Sequence, residues 1–324
     1  MKRILIAGAG QLGSRHLQSL NLLNQKLDIM VIDPNPASLE IAKSRFEMSI
    51  KVVNHRINYS TSLLNDEPID VAIVASTAHH RRMIIENILG QSSIKHLVLE
   101  KLLFTMEQDY SDIQELLAKY QTKTWVNCCM RLMPFYQNLN AIFNGEQLQY
   151  NVTGSQYGLV TNAIHYLDHM AYLTGKTDFE LDTKYLDIHA IESKRLGYYE
   201  LTGTIIAHFS NGSIGVISCD NEGIAPVQIE IFNKERRIIS REWEQKAWQT
   251  GVDKDWRWEE VDAPIPFQST LTASMVSSLL ETNNCALTSF NDSKRIHLQL
   301  LNPLKDFLIK HTLAKNENID YPFT

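Results

Sequence analysis

Near the start of the chain, the apolar run Ile4-Leu5-Ile6-Ala7 leads into Gly8-Ala9-Gly10-Gln11-Leu12-Gly13, a G-x-G-x-x-G pattern. Its spacing suits phosphate chemistry. Gly8 permits a tight turn, Gly10 lets a pyrophosphate approach the main chain, and Gly13 lets the following helix pack closely on the strand. Free N–H groups at that helix start, around Gln11 and Leu12, face the phosphate charge. A second strand pattern, Leu27-Asp28-Ile29-Met30-Val31-Ile32, ends in Asp33, 20 residues beyond Gly13. A carboxylate there accepts hydrogen bonds from ribose hydroxyls and repels a 2′-phosphate, which favours NAD over NADP. No Arg or Lys follows until Lys43. The plainer reading of Asp33 is a cap for the next helix.

Other chemistry-bearing residues fall at strand ends and on one helix. Ser76 follows the apolar run Val71 to Ala75, and Glu100-Lys101 follows Val98-Leu99. A lysine is by default a surface residue, but the end of a parallel strand is where open sheets bind ligands. His165 shares a helical stripe with Asp168, His169 and Tyr172, while Ile164, Leu167 and Ala171 form the apolar side. A lone helical histidine is ordinarily a satisfied structural group, but the polar stripe favours a site. His165 and His169 at i, i+4 also have a spacing that can hold zinc, but the second-position Glu of H-E-x-x-H and a third ligand are missing, so no metal is expected. His79-His80-Arg81-Arg82 reads equally as a nucleotide or anion contact and as a solvated helix start. Trp243, Trp248, Trp256 and Trp258 suit a subunit interface or a packed flap.

The elements that must position these groups change character along the chain. Up to about residue 125, strand and helix patterns alternate as in a doubly wound parallel sheet. Strands are expected around Lys51-Val52-Val53, Ile69–Ala75, His96–Leu99 and Thr124–Asn127, with helices at about Gln11–Leu23, His80–Leu89 and Tyr110–Tyr120. The expected rim holds Gly8, Ala75 and Lys101. Beyond it come one strong helix, about Asn162–Leu173, and β-rich runs. Thr202–Phe209 and Ile214–Ser218 flank an Asn211-Gly212 turn, and Val227–Phe232 pairs with Arg236–Ser240 as another hairpin. A final amphipathic helix is expected over Ser293–His311. The fold class is α/β: residues 1–125 form a Rossmann dinucleotide-binding domain, and 126–324 a substrate-binding and oligomerisation domain with an open, mostly antiparallel sheet.

A chain of 324 residues with a formal charge of −6 supports two domains and shows no basic face for nucleic acid. It has no apolar stretch long enough to span a bilayer, and no signal peptide pattern precedes the first strand. The four cysteines, Cys128, Cys129, Cys219 and Cys285, lack a C-x-x-C spacing and read as free thiols of a cytoplasmic protein.

Several separated motifs resemble the glucose-fructose oxidoreductase / inositol dehydrogenase / MocA (Gfo/Idh/MocA) family. Gly8 to His16 is similar to its opening fingerprint. Val98-Leu99-Glu100-Lys101-Leu102 sits where the family carries Glu-Lys-Pro, and Met130-Arg131-Leu132-Met133-Pro134 resembles its entry to the second domain. Gly158 to Asp168 is similar to its active-site helix. Three departures stand out. Leu102 replaces the proline, Thr161 stands where many members carry an Asp that binds a substrate hydroxyl, and Ala163 replaces a common glycine.

The resemblance implies an NAD(P)-dependent dehydrogenase or reductase acting on CH–OH groups, with a sugar, sugar derivative (a nucleotide sugar included) or polyol as substrate between the domains. The exposed face of the second sheet needs cover, which points to a homodimer or homotetramer built through it. Lys101 and His165 are then the catalytic pair, Lys101 as orienter or acid/base and His165 as main proton acceptor. The cofactor contacts are Gly8, Gly10, Gln11, Leu12, Gly13, Asp33, Ser76, Glu100 and Lys101. Lys101, Arg131, Thr161, Asn162 and His165 are candidate substrate contacts, although Arg131 equally suits a brace at the domain junction. The rival class is a non-catalytic dinucleotide-binding sensor of the same fold, favoured by Leu102 and Thr161 and disfavoured by Lys101 and His165.

Overall fold

A computed structural model describes residues 1–63, 67–193, 197–313 and 319–323. The chain forms two compact units, Met1–Leu132 with Pro266–Asn291, and Met133–Ile265 with Asp292–Thr324. The first opens with β1 (Lys2–Ala7), α1 (Gln11–Leu20), β2 (Leu27–Ile32), α2 (Pro36–Glu47) and β3 (Arg56–Ser60). It continues with β4 (Ile69–Val74), α3 (Ala78–Gln91), β5 (Ile94–Leu99), α4 (Glu107–Lys119) and β6 (Lys123–Val126). These strands pair in parallel in the order β6-β5-β4-β1-β2-β3. The order reverses between β1 and β4, so the loop after β1 opens at the switch point of a doubly wound sheet. Strands buried on both faces explain the near-continuous apolar runs, Ile4 to Ala7 and Val71 to Val74 being almost fully buried.

The third strand lies later than the sequence pattern indicates. Val52 is 49% exposed, whereas Ile57 and Tyr59 of β3 pack against the buried core. Alternate inward-facing residues in Arg56–Ser60 outweigh the short Val52-Val53 run.

The second unit contains α5 (Pro134–Phe143), β7 (Gln149–Thr153), α6 (Leu159–Thr174), β8 (Phe179–Glu192), β9 (Tyr199–Phe209) and β10 (Ile214–Cys219). Then follow β11 (Gln228–Phe232), β12 (Arg236–Arg241), β13 (Lys246–Gly251) and β14 (Glu259–Asp262). The strand order is β14-β13-β12-β11-β7-β10-β9-β8. Among the described strands of this sheet only β7 and β10 pair in parallel. Both hairpins form where expected. Gly212 takes φ +83° in the first, and in the second Asn233 Oδ1 accepts from the N–H groups of Glu235 and Arg236 at 2.9 and 2.8 Å. In β10, buried Gly215, Ile217 and Cys219 alternate with half-exposed Ile214, Val216 and Ser218, the pattern of a sheet covered on one face.

The chain then returns to the first unit through α7 (Gln268–Thr282) and β15 (Thr288–Ser289), which pairs antiparallel with β6. Met275, Val276 and Leu279 of α7 are buried in the same apolar cluster as Ile4, Leu17, Leu20 and Val71. Each such side chain contributes about 1.5–3 kcal/mol, which places Pro266–Asn291 in the first unit although the sequence reading assigned it to the second domain. Helix α8 (Phe290–Lys310) closes the elements, close to the expected 293–311. No helix among the described residues is long and apolar enough to cross a membrane.

Candidate functional site

The three glycines of the first loop meet different demands. Gly8 has φ +101°, and an added Cβ would stand 3.0 Å from the main chain of Ala75. A Cβ on Gly13 would fall 1.8 Å from the Gly8 carbonyl oxygen, so α1 can start here only without a side chain. A Cβ on Gly10 would meet nothing within 4 Å, leaving the main chain before Gln11 and Leu12 open to a ligand.

Asp33 belongs to the same constellation. Its Oδ2 accepts from the Ala9 N–H at 2.7 Å and its Oδ1 from Asn35 at 2.8 Å. One lone pair remains on each oxygen for ribose hydroxyls. The helix-cap alternative falls to Asn35, whose side chain accepts from the Ala37 N–H at 3.0 Å. Gln11 Oε1 and Ser14 Oγ both receive Arg45, at 2.8 and 2.6 Å. An open phosphate-facing loop beside an acceptor with free lone pairs fits NAD.

Each strand end along the rim is tied to its neighbour by main-chain hydrogen bonds. Ala75 donates to Ala7, Glu100 to Val74 and Asn127 to Leu99. Lys101 is half-buried on this rim, and the Lys101–Leu102 peptide is cis. Both sides of the lysine are held. Behind it, the Glu100 carboxylate is almost fully buried and accepts from His16 Nε2 at 2.8 Å and Asn127 Nδ2 at 2.6 Å. Burial pushes this carboxyl up, but the His16 and Asn127 hydrogen bonds and the Arg81 charge outweigh it and hold it below its ordinary value. Ahead of it, buried Arg81 donates to the carbonyls of Leu102, of Leu103 at 2.6 Å and of Ser76 at 2.6 Å. Ser76 therefore takes part through its main chain.

The His79 to Arg82 segment thus divides into different roles. Arg81 is an internal clamp and Arg82 pairs with Glu86, Asp109 and Asp112, while His79 and His80 are exposed. Arg131 lies half-buried in a 3₁₀ turn, Cys129–Leu132, within the first unit.

In the second unit, Thr161, Asn162 and His165 occupy the first two turns of α6, all half-buried. Gly158 precedes the helix at φ +79°, where a Cβ would stand 2.7 Å from Thr161 Oγ1. Asn162 Nδ2 turns back to the carbonyls of Tyr157 and Gly158 at 2.6 and 3.1 Å, so its amide nitrogen closes this turn. Glu200 on β9 places its carboxyl against the helix start, accepting from the N–H groups of Val160 at 2.9 Å and Thr161 at 3.1 Å. Burial pushes the Glu200 carboxyl above its ordinary value, against the hydrogen bonds from the Thr161 side chain and these two N–H groups. A carboxyl does stand beside Thr161, supplied by a strand rather than by the helix.

The lower part of the polar stripe is structural. Asp168 and His169 are fully buried. His169 Nε2 donates to the Tyr136 carbonyl at 3.1 Å, and Nδ1 meets the Tyr150 hydroxyl at 2.9 Å. Both ring nitrogens are engaged, which removes His169 from the zinc alternative.

Lys101, Glu100, Ser76, Asp33 and the glycine loop are thus gathered in one unit, and Thr161, Asn162 and His165 in the other. His16, Asn127 and Glu200 were not singled out as site groups from sequence, and Arg81 was read only as one of a basic run. Their partners lie many residues away, as with His16 and Glu100, 84 positions apart, and no local pattern marks them.

Comparison with known proteins agrees with this fold. Residues 2–128 match the GFO_IDH_MocA family model, described as an oxidoreductase family with an NAD-binding Rossmann fold. An oxidoreductase from Agrobacterium radiobacter, solved with NAD+, L-tartaric acid and magnesium, is 15% identical, covers 92% of this chain and 94% of its own, and superposes with a TM-score of 0.68. UDP-N-acetylglucosamine 3-dehydrogenase GnnA from Acidithiobacillus ferrooxidans is 13% identical over 93% of this chain and 96% of its own, with a TM-score of 0.67. A levoglucosan dehydrogenase, in complex with NADH and levoglucosan, is 14% identical over 96% and 98%, with a TM-score of 0.71. No curated protein matches the chain by sequence.

Proposed function

We propose that this chain, which belongs to the Gfo/Idh/MocA oxidoreductase family through the NAD-binding Rossmann fold of residues 2–128, oxidises or reduces a hydroxyl or ketone carbon of a sugar, sugar derivative or polyol. The observation that carries the reading is the clamp on Lys101. A half-buried lysine, on the rim that also bears the open glycine loop, lies between Glu100, whose carboxylate is fixed by His16 and Asn127, and Leu102-Leu103, whose carbonyls are fixed by Arg81. A solvated surface lysine has no use for such support. The carbohydrate class draws support from the levoglucosan and UDP-N-acetylglucosamine dehydrogenases of similar fold.

The nicotinamide, when bound, supplies the hydride acceptor in one direction and the donor in the other. The chain's own task is to move the hydroxyl proton. Lys101 orients the reacting oxygen and acts as acid or base. His165 is the main proton acceptor. Arg131, Thr161 and Asn162 are further substrate contacts. The half-exposed face of the second sheet, with Phe232, Ile239 and Trp248, forms a homodimer or homotetramer contact, which sedimentation velocity tests.

Turnover of nicotinamide across a panel of sugars, nucleotide sugars and polyols tests the reaction, with Lys101→Met as control. The variant should bind NADH normally and lose turnover. Tight NADH binding with no turnover on any substrate would favour a sensor, and wild-type turnover in Lys101→Met would overturn the role of Lys101.

A further inference from the structure

We propose that Thr272 and Gln268, at the start of α7, are positioning residues for Lys101, acting through a closed ring of five side chains that holds Glu100. The proposal rests on the reading of Lys101 as a proton-handling group and deepens it. Around the ring, Gln268 Nε2 donates to Thr272 Oγ1 at 3.0 Å, and Thr272 Oγ1 meets His16 Nδ1 at 2.8 Å. His16 Nε2 meets Glu100 Oε1 at 2.8 Å. Asn127 Nδ2 donates both to Glu100 Oε1 at 2.6 Å and to Gln268 Oε1 at 3.0 Å, which closes the circuit.

The proton positions follow from the donor inventory. An ionised Glu100 only accepts, so His16 Nε2 donates to it. The other ring nitrogen, Nδ1, faces the Thr272 hydroxyl, which also reaches the Gln268 carbonyl at 3.3 Å. That hydroxyl has one proton to give and takes another bond from Gln268. The two Asn127 amide protons are both used. Both ring bonds to Glu100 run toward its Oε1, so donors from two distant parts of the chain fix that oxygen. Glu100 shares a peptide bond with Lys101.

Docking of α7 does not need this polar device. Met275, Val276 and Leu279 already bury the helix in the core, and an apolar contact at Thr272 would serve docking as well as a buried polar network. A set of donors converging on a buried carboxylate is instead the means by which supporting residues fix a working side chain to within tenths of an ångström. The arrangement also gives the return of Pro266–Asn291 to the first unit a purpose, since that segment lies outside residues 2–128 and supplies two of the five ring members.

Thr272→Val removes the hydroxyl at nearly constant volume. We expect kcat to fall roughly tenfold, as for one buried hydrogen bond left unmade, with KM for NADH within about twofold of wild type. Thr272→Ser should restore kcat. In parallel, trace acylation of the protein without substrate, read by peptide mass spectrometry, should show a changed rate at Lys101 in Thr272→Val and the wild-type rate in Thr272→Ser. Should Thr272→Val fail to fold, Gln268→Met opens the ring at a half-buried position and is read the same way. Wild-type acylation of Lys101 in the opened-ring variant, or a Thr272→Ser variant as impaired as Thr272→Val, overturns the proposal. If Lys101→Met keeps full turnover, the reading of Lys101 fails instead, and the acylation rates still decide whether the ring positions its amine.

Discussion

Two glycines of one motif should respond to the same substitution in opposite ways. In Gly13→Ala the new methyl would sit 1.8 Å from the Gly8 carbonyl oxygen and 2.8 Å from its carbon. Both are main-chain atoms, so α1 must move away from the turn after β1. Overpacking of this kind costs about 3 kcal/mol, and alanine recovers about 1 kcal/mol over glycine inside a helix. The net loss of about 2 kcal/mol lowers the melting temperature by about 4–8 °C for a domain of this size. Gly10 has φ −64° and open space where its Cβ would go. Gly10→Ala should therefore change stability by no more than about 0.5 kcal/mol. Its methyl would enter the space through which a pyrophosphate approaches, so NADH affinity should fall by about tenfold or more. Thermal melts by circular dichroism and NADH fluorescence titrations on both variants separate the effects. A Gly13→Ala protein that melts with wild type refutes the packing argument, and a Gly10→Ala protein with undiminished NADH affinity refutes the placement of the phosphates.

Asp33→Asn replaces one acceptor oxygen with a donor facing the N–H groups of Ala9 or Asn35; NADH should bind about tenfold more weakly, with a narrower preference over NADPH in parallel titrations. Arg81→Met leaves the carbonyls of Ser76, Leu102 and Leu103 without their donor and should cost about 3 kcal/mol in urea unfolding, so unchanged stability would contradict the clamp. Burial pushes the His96 imidazole below its ordinary value of 6.5, so the native state takes up this proton less readily than the unfolded chain. Its stability contribution is complete above about pH 6.5 and declines as pH falls below that. His96→Phe should flatten the decline in urea midpoints measured across this range, and an identical slope would rule His96 out as its source.

The parts of the fold legible in sequence were those set by local pattern. The glycine loop, the strands of the first sheet around it and the Asn211-Gly212 hairpin follow from turn chemistry and strand periodicity acting over a few residues. The strand at Arg56–Ser60 was misplaced because two adjacent valines, Val52 and Val53, imitate a strand, and only tertiary packing reveals that Ile57 and Tyr59 face the core. Lys101 and His165 stood out because strand ends and polar helical stripes are local features. What holds the main chain around Lys101 is not local. Arg81 read equally as a ligand contact and as part of a solvated helix start, and neither reading finds its carbonyl acceptors, 21 and 22 residues on. Thr272 and Gln268 carried no signal at all, since their partner His16 lies more than 250 residues away.

Thr161 shows how such support can change what a motif residue means. Read along the helix, Thr161 stands where the family resemblance leads one to expect an acid, which makes Thr161→Asp look like a repair. The structure predicts harm. Glu200 already fills the start of α6 with both carboxyl oxygens bonded to N–H groups of Val160 and Thr161, and its carboxyl is pushed upward by burial. A second carboxylate there would gain at most about 1 kcal/mol from the helix dipole. It would lose more to repulsion by Glu200 at short range in a partly buried setting, for a net cost of about 1–2 kcal/mol at neutral pH. The cost should vanish in acid, where one carboxyl takes up a proton. It should also shrink in Thr161→Asp with Glu200→Gln, so that the double-mutant cycle gives a coupling of about 1 kcal/mol or more. A Thr161→Asp protein as stable as wild type at neutral pH, or a cycle with no coupling, would mean that Glu200 does not occupy the position the missing acid would take.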